Sequence, residues 1–312
     1  MPVSPWREAL SGFDILAISL TVGVIATMLW LMPSTGAAEA SRIDIRHRLR
    51  RLLSAALALL TLTTIAVLIV RSIAISGRTL TGIGPILPLV LMRTDFGHVW
   101  FARAGAVLLL WFAWSRLKAD ARQPVIYWTL LVLAALVALT RSTTGHAGDH
   151  GDFRIPVWID WLHLLAAGLW GGVIIAFVIA VRPVLRRDPD SASCAFIVRR
   201  FSSIAAIGLA LVVASGIYNA WHALGAWRPL WTSDYGRILD IKLGLVILMA
   251  LLGASNRFRH VPRLLRREVD GDAPPDAFRL LAATAAAEAL LMLAILAVVA
   301  LLMNSMPPAS MF

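Results

Sequence analysis

The sequence has little charge and almost no sulfhydryl chemistry. Asp, Glu, Lys and Arg together make up 15% of its 312 residues, against roughly 25% in a soluble globular chain. Cys194 is the single cysteine. One thiol excludes an internal disulfide framework and a multi-cysteine zinc site. No Walker A loop occurs, which argues against an ATP-driven pump, and the short loops leave no room for an aspartyl-phosphate domain. No Cys-x-x-Cys-His segment is present to attach a haem. No covalent chemistry is expected, so the chain is not read as an enzyme. What fills the sequence instead is apolar: 59% of residues are hydrophobic and the mean hydropathy is +0.78.

The apolar residues fall into eight runs near Phe13–Met32, Leu52–Val70, Phe96–Trp114, Val125–Thr140, Trp158–Val181, Phe201–Ala223, Arg237–Ala254 and Leu280–Met303. About 20 apolar residues cross a bilayer as a helix. The expected fold is therefore all-α, a polytopic membrane protein with eight transmembrane helices. The first run is longer than the h-region of a signal peptide and is read as a retained helix. The formal charge of +11 comes with Arg and Lys gathered in alternate connections: Arg42 to Arg51, Arg116 to Arg122, Arg182 to Arg200, and Arg257 to Arg267. The positive-inside rule places those connections in the cytoplasm, with both termini in the periplasm of a bacterial inner membrane. The same rule accounts for the charge without nucleic acid; the lipid bilayer is the expected environment.

An internal repeat is expected. Thr94-Asp95-Phe96-Gly97 is followed by Arg103, six residues after the glycine, and Ser233-Asp234-Tyr235-Gly236 is followed by Lys242 at the same spacing. Arg50-Arg51-Leu52-Leu53-Ser54 matches Arg199-Arg200-Phe201-Ser202-Ser203. Both pairs are about 140–150 residues apart, which suggests a 4+4 arrangement of parallel repeats. The chain divides into a first membrane half (residues 1–140), a periplasmic His/Asp/Gly loop (141–157) and a second half (158–312).

Five of the seven histidines fall on or near the periplasmic side: His98, His146, His150, His163 and His222. His47 and His260 sit among the cytoplasmic arginines and are read as solvated. In Thr144-Gly145-His146-Ala147-Gly148-Asp149-His150-Gly151-Asp152, two imidazoles and two carboxylates share a glycine-rich loop. It is either a polar connector or a metal-collecting loop, since imidazole suits copper, zinc, iron and nickel. Asp160 and His163 are three residues apart, on one face of the fifth helix. An ionisable residue inside a membrane helix is a functional candidate by default. Arg103, Lys242, Asp240, Asp14 and Glu288 also fall within spans. Structural ion pairing is the simpler reading of Arg103 and Lys242. Glu288, deeper in the last span, is the candidate for a transport path, with Lys242 and Arg103 beside it. Met303 and Met306 near the C-terminal end offer thioether sulfur, a soft ligand that favours copper over zinc.

These residues carry a family resemblance. Asp160-Trp161-Leu162-His163 through Gly172, Arg200-Phe201-Ser202, Ser215-Gly216-Ile217-Tyr218-Asn219-Ala220-Trp221, Asp234-Tyr235-Gly236-Arg237 through Lys242, and Asn256-Arg257-Phe258 resemble the copper resistance protein D (CopD) family of bacterial inner-membrane proteins. Thr144–His146 and the Thr94–Arg103 block extend the likeness into the first half. The resemblance implies copper handling at the periplasmic face, with copper import across the inner membrane. It also implies work with a periplasmic copper-binding protein of the CopC type. No such β-rich domain is visible in the sequence, so that partner is expected as a separate chain. The copper ligands expected on this reading are His163, Asp160, His146, His150, His98, His222, Met303 and Met306. Two other readings stand beside it. One is a membrane haem protein with His163 and either His98 or His222 as axial ligands. The other is a copper sensor or scaffold that moves no metal.

Overall fold

The structure is a computed structural model that describes residues 5–32, 39–77, 79–118, 122–145, 154–187, 192–270, 277–303, 305 and 308–311. It contains eight helical spans long and apolar enough to cross a membrane: Glu8–Leu31, Glu39–Ser76, Asp95–Ser115, Pro124–Thr143, Ile155–Leu185, Ser193–Leu224, Asp234–Leu265 and Ala277–Leu302. They are called spans one to eight. Among the described residues there is no β-strand. An all-helical bundle is what lipid demands, because hydrocarbon offers no partner to an unpaired backbone N–H or C=O. An even number of crossings puts the start of span one and the end of span eight on one side, here called the terminal face. The opposite side is the cationic face.

Several spans are longer than their apolar runs. Span two is 38 residues long, or about 57 Å at 1.5 Å per residue, well beyond a hydrocarbon core of about 30 Å. The arginines expected in cytoplasmic loops, Arg42 to Arg51, Arg199 and Arg200, and Arg257 to Arg267, are therefore helical. Arginine is a good helix former, so nothing ends the helix where the apolar run ends. Some of these side chains cap neighbouring helices. Arg200 donates to the Trp30 carbonyl at 2.8 Å and Arg182 to the Ala282 carbonyl at 3.2 Å. Trp30 lies at the carbonyl-rich C-terminal end of span one, where a cation is favourable, whereas Ala282 lies near the N-terminal end of span eight. The solvated reading of His260 is corrected: it is only 9% exposed, packed within the cationic end of span seven. The added helical turns enclose it.

Spans one and five form the centre, with 83% and 72% of their apolar windows buried; spans six and seven, at 22% and 11%, lie at the periphery. Glycine makes the central contact. A Cβ on Gly172 would overlap the Ser19 carbonyl, one on Gly23 would overlap the Gly172 backbone, and one on Gly168 would come within 2.7 Å of Val22. Small residues let two membrane helices approach at backbone distance, where dispersion replaces the hydrophobic effect as the attraction. Span five is bulged at Gly168–Gly172 and again at Phe177–Val181, each a π turn. Such bulges re-aim a helix face and are frequent at functional sites. Phe177 of the second bulge stacks on Phe201 of span six, centroids 4.2 Å apart.

Candidate functional site

The two short motifs that suggested a repeat fold alike. Thr94 and Ser233 are both extended N-caps whose hydroxyls accept from the backbone N–H three residues on, Gly97 at 3.1 Å and Gly236 at 3.0 Å. Each cap hydroxyl also donates to a carbonyl four residues back, Val90 or Pro229, at 2.6 Å. The glycines are required because a Cβ at either would strike carbonyls of the preceding short helix. These matched starts set Arg103 and Lys242 at the same depth, about 12 Å along spans three and seven.

Arg103 meets an acid from a central helix, and Lys242 lies within electrostatic range of one. Arg103 forms a very short ion pair with Asp14 of span one. Arg103 and Asp14 are 4% and 1% exposed. Thr63 donates to the same Asp14 oxygen at 2.8 Å, Arg103 Nε donates to Thr64 Oγ1 at 3.0 Å, and Arg141 of span four approaches Asp14 Oδ2 at 3.5 Å. Arg103 is thus a buried ion-pair partner, as structural pairing would have it. Arg141 also donates to the Met303 sulfur at 3.3 Å. In the second half, Lys242 interacts electrostatically with Asp160 and His163 of span five, and Asp160 does so with Tyr235.

His163 is held from span six. Its Nδ1 lies 2.9 Å from Ser215 Oγ, and that hydroxyl donates to the Leu211 carbonyl at 2.5 Å. A hydroxyl has one hydrogen: where Ser215 gives it to Leu211, His163 Nδ1 carries the ring hydrogen, and where Ser215 gives it to His163, Nδ1 is the acceptor. In the first of these tautomers the neutral imidazole keeps its Nε2 lone pair. Fixing the tautomer through the far nitrogen is how metal-ligating histidines are prepared. Gly216 makes room for the ring: a Cβ there would sit 3.3 Å from His163 Cε1. His222, two turns further along span six on the Ser215 side, stacks on Tyr218 at 6.1 Å. His98 is exposed at the start of span three, on the terminal face. Met303 faces Arg141 in the first half rather than His163. His146, His150 and Met306 lie outside the described residues. Among the described residues, no three His, Cys, Asp or Glu side chains converge on one point.

A third polar group lies toward the cationic face. Glu288 of span eight is 2% exposed and accepts from Asn256 Nδ2 at 2.5 Å, while Thr284 donates to Asn256 Oδ1 through a very short bond. Gly253 leaves space beside it; a Cβ there would be 3.6 Å from Glu288 Oε2. One turn along span eight, the buried Met292 thioether packs on Gly171 of span five. Sequence reasoning gave no role to Ser215, Asn256, Thr63, Thr64, Arg141 or Met292. Ser215 and Asn256 stood inside the family-like segments, and their polarity amid apolar runs was the signal available.

These features define a polytopic helical membrane protein with ionisable groups buried between its helices and an imidazole held against a serine of the next span. The comparisons with known proteins then place it. A match to "Copper resistance protein D" covers residues 195–302, and one to "Copper resistance protein D-like, N-terminal domain" covers residues 9–155. Between them they cover most of the chain, and the chain belongs to the copper resistance protein D family. It is 30% identical to the copper transport protein CutJ of Bacillus subtilis over 53% of this chain and 30% of that protein. It is 30% identical to copper resistance protein D of Pseudomonas syringae pv. tomato, over 56% of this chain and 57% of the relative. It is 27% identical to the inner membrane protein YebZ of Escherichia coli, over 59% and 61%. The match spans less than two thirds of the length of each of these relatives. No solved structure matches.

Proposed function

We propose that the chain binds copper at its terminal face, around His163 and Asp160, and passes it inward between spans five, six, seven and eight. The observation that carries this is the Ser215 contact at His163 Nδ1: with Ser215 bonded to Leu211, the Nε2 lone pair is available beside Asp160. Imidazole nitrogen suits copper, and an adjacent carboxylate lowers the energy of a cation at that depth. Lys242 then has a defined part: its ammonium balances Asp160 while the site is empty, and copper replaces it. In the first half the equivalent acid, Asp14, is closed off by Arg103 and Arg141. The residue three after Asp14 is Ala17, where the second half has His163.

On this reading the terminal face is periplasmic, because the arginines of the other face are retained in the cytoplasm, and the membrane is the bacterial inner membrane. His146, His150, His98 and Met306 collect copper before it reaches His163, with His222 on the approach. Met303 joins them only when Arg141 turns away from its sulfur. Met292 and then Glu288 are the next groups inward. A separate periplasmic CopC-like protein is the proposed donor.

The test is copper accumulation in proteoliposomes, with metal analysis and an absorption spectrum of the same preparation. His163→Ala is expected to reduce uptake at least tenfold and Asp160→Asn less, with both variants inserted normally. Unchanged uptake by a well-inserted His163→Ala protein would remove His163 from the path. Copper binding without uptake by the parent protein would make it a sensor or scaffold, and a Soret band would make it a haem protein.

A further inference from the structure

The first half holds a cavity of about 220 Å³ at the terminal face, bounded by spans one to four. Its wall contains three guanidinium groups, Arg71, Arg103 and Arg141, and one acid, Asp14. Arg103 and Arg141 both turn to Asp14, whose Oδ1 also accepts from Thr63. Arg71 reaches in from span two and rests over Phe96, its guanidinium carbon 5.8 Å from the ring centroid. Its side chain pairs with no acid among the described residues. Among the described residues, one carboxylate therefore faces three cations.

We propose that this cavity binds an oxyanion, a phosphate or carboxylate group, in the fork of Arg71 and Arg141. Arg71 is exposed near the end of span two, where a guanidinium without a carboxylate takes up water or an anion. Guanidinium groups present planar donor pairs that match the oxygens of phosphate and carboxylate. The cavity is several times larger than the roughly 30 Å³ that one water occupies in the liquid, so it accommodates such a group with water. Its two sources are a dissolved anion and the headgroup of an anionic lipid. The site is separate from His163.

The experiment uses the full chain in nanodiscs of phosphatidylcholine and follows thermal unfolding by tryptophan fluorescence. Inorganic phosphate is titrated against sodium chloride at matched ionic strength, and in a parallel arm phosphatidylglycerol replaces part of the phosphatidylcholine. Saturable stabilisation by phosphate alone identifies a dissolved anion. Stabilisation by phosphatidylglycerol alone identifies a headgroup, and stabilisation by both identifies a headgroup site that also reads free phosphate. In each case Arg71→Gln raises the half-saturating concentration at least tenfold. Arg71→Lys, which keeps the charge but not the fork, falls between. Arg71 is exposed and outside the Asp14 ion pairs, so both variants are expected to fold. The proposal is overturned if neither phosphate nor phosphatidylglycerol stabilises beyond chloride, or if Arg71→Gln responds like the parent chain. No copper enters the assay, so its outcome is independent of the copper reading.

Discussion

Replacing Asp14 by alanine leaves the guanidinium of Arg103, 4% exposed, and that of Arg141 without their carboxylate. It also takes one acceptor from Thr63, which keeps the Leu60 carbonyl at 3.1 Å. Removing one partner of a buried ion pair is destabilising by about 3–5 kcal/mol, most of it from the charge left behind. At roughly 2–4 °C per kcal/mol for a large domain, the melting temperature should fall by roughly 6–20 °C. Two further variants isolate the cause. Asp44 pairs with Arg187 at 2.9 Å, but those side chains are 31% and 66% exposed, so Asp44→Ala should cost less than about 1 kcal/mol. The double variant Asp14→Ala/Arg103→Met removes the stranded charge and should recover much of the loss, because a buried pair is often replaceable by apolar groups of similar volume. Thermal unfolding of the purified proteins in one detergent is the assay. The reasoning fails if Asp14→Ala melts within about 2 °C of the parent, or if the double variant is no better than the single one.

Ser215→Ala should weaken copper binding by about 10–100-fold, the usual effect of removing the group that orients a ligating histidine; equal affinity in a direct titration would show that the Ser215 contact does not prepare His163. Gly172→Ala should destabilise the bundle by about 1–3 kcal/mol because its new methyl group meets the Ser19 carbonyl. Gly244→Ala, with nothing within 4 Å of the added Cβ, should instead stabilise by about 0.5–1 kcal/mol; thermal melts that move in the same direction for both would refute the close-packing account. The double variant His146→Ala/His150→Ala should bind copper less tightly at neutral pH, and the difference should shrink toward low pH, where protons compete for the imidazoles. Identical affinities across the pH range would leave that segment a connector.

The sequence alone determined what depends on residues one at a time or on short spacings. Eight apolar runs became eight spans because transfer from water to lipid is nearly additive along a helix. The Thr94 and Ser233 motifs were visible as a repeated spacing, and the structure showed them to be caps. Asp160 and His163 shared a face by helical periodicity alone. The ends of the helices were less legible, since hydropathy marks where lipid stops and not where hydrogen bonding does; hence the helical arginines and the buried His260. Only the tertiary structure decided the partners. Asp14 and Arg103 are 89 residues apart, His163 and Ser215 are 52 apart, and Asn256 and Glu288 are 32 apart. In lipid every helix presents much the same apolar exterior, so neighbours are chosen by where backbones can touch and where buried charges can be matched. The contact of Gly23 with Gly172 sets spans one and five together at the centre. Span one then carries Asp14 to the Arg103 guanidinium of span three, and span five brings Asp160 within electrostatic range of Lys242.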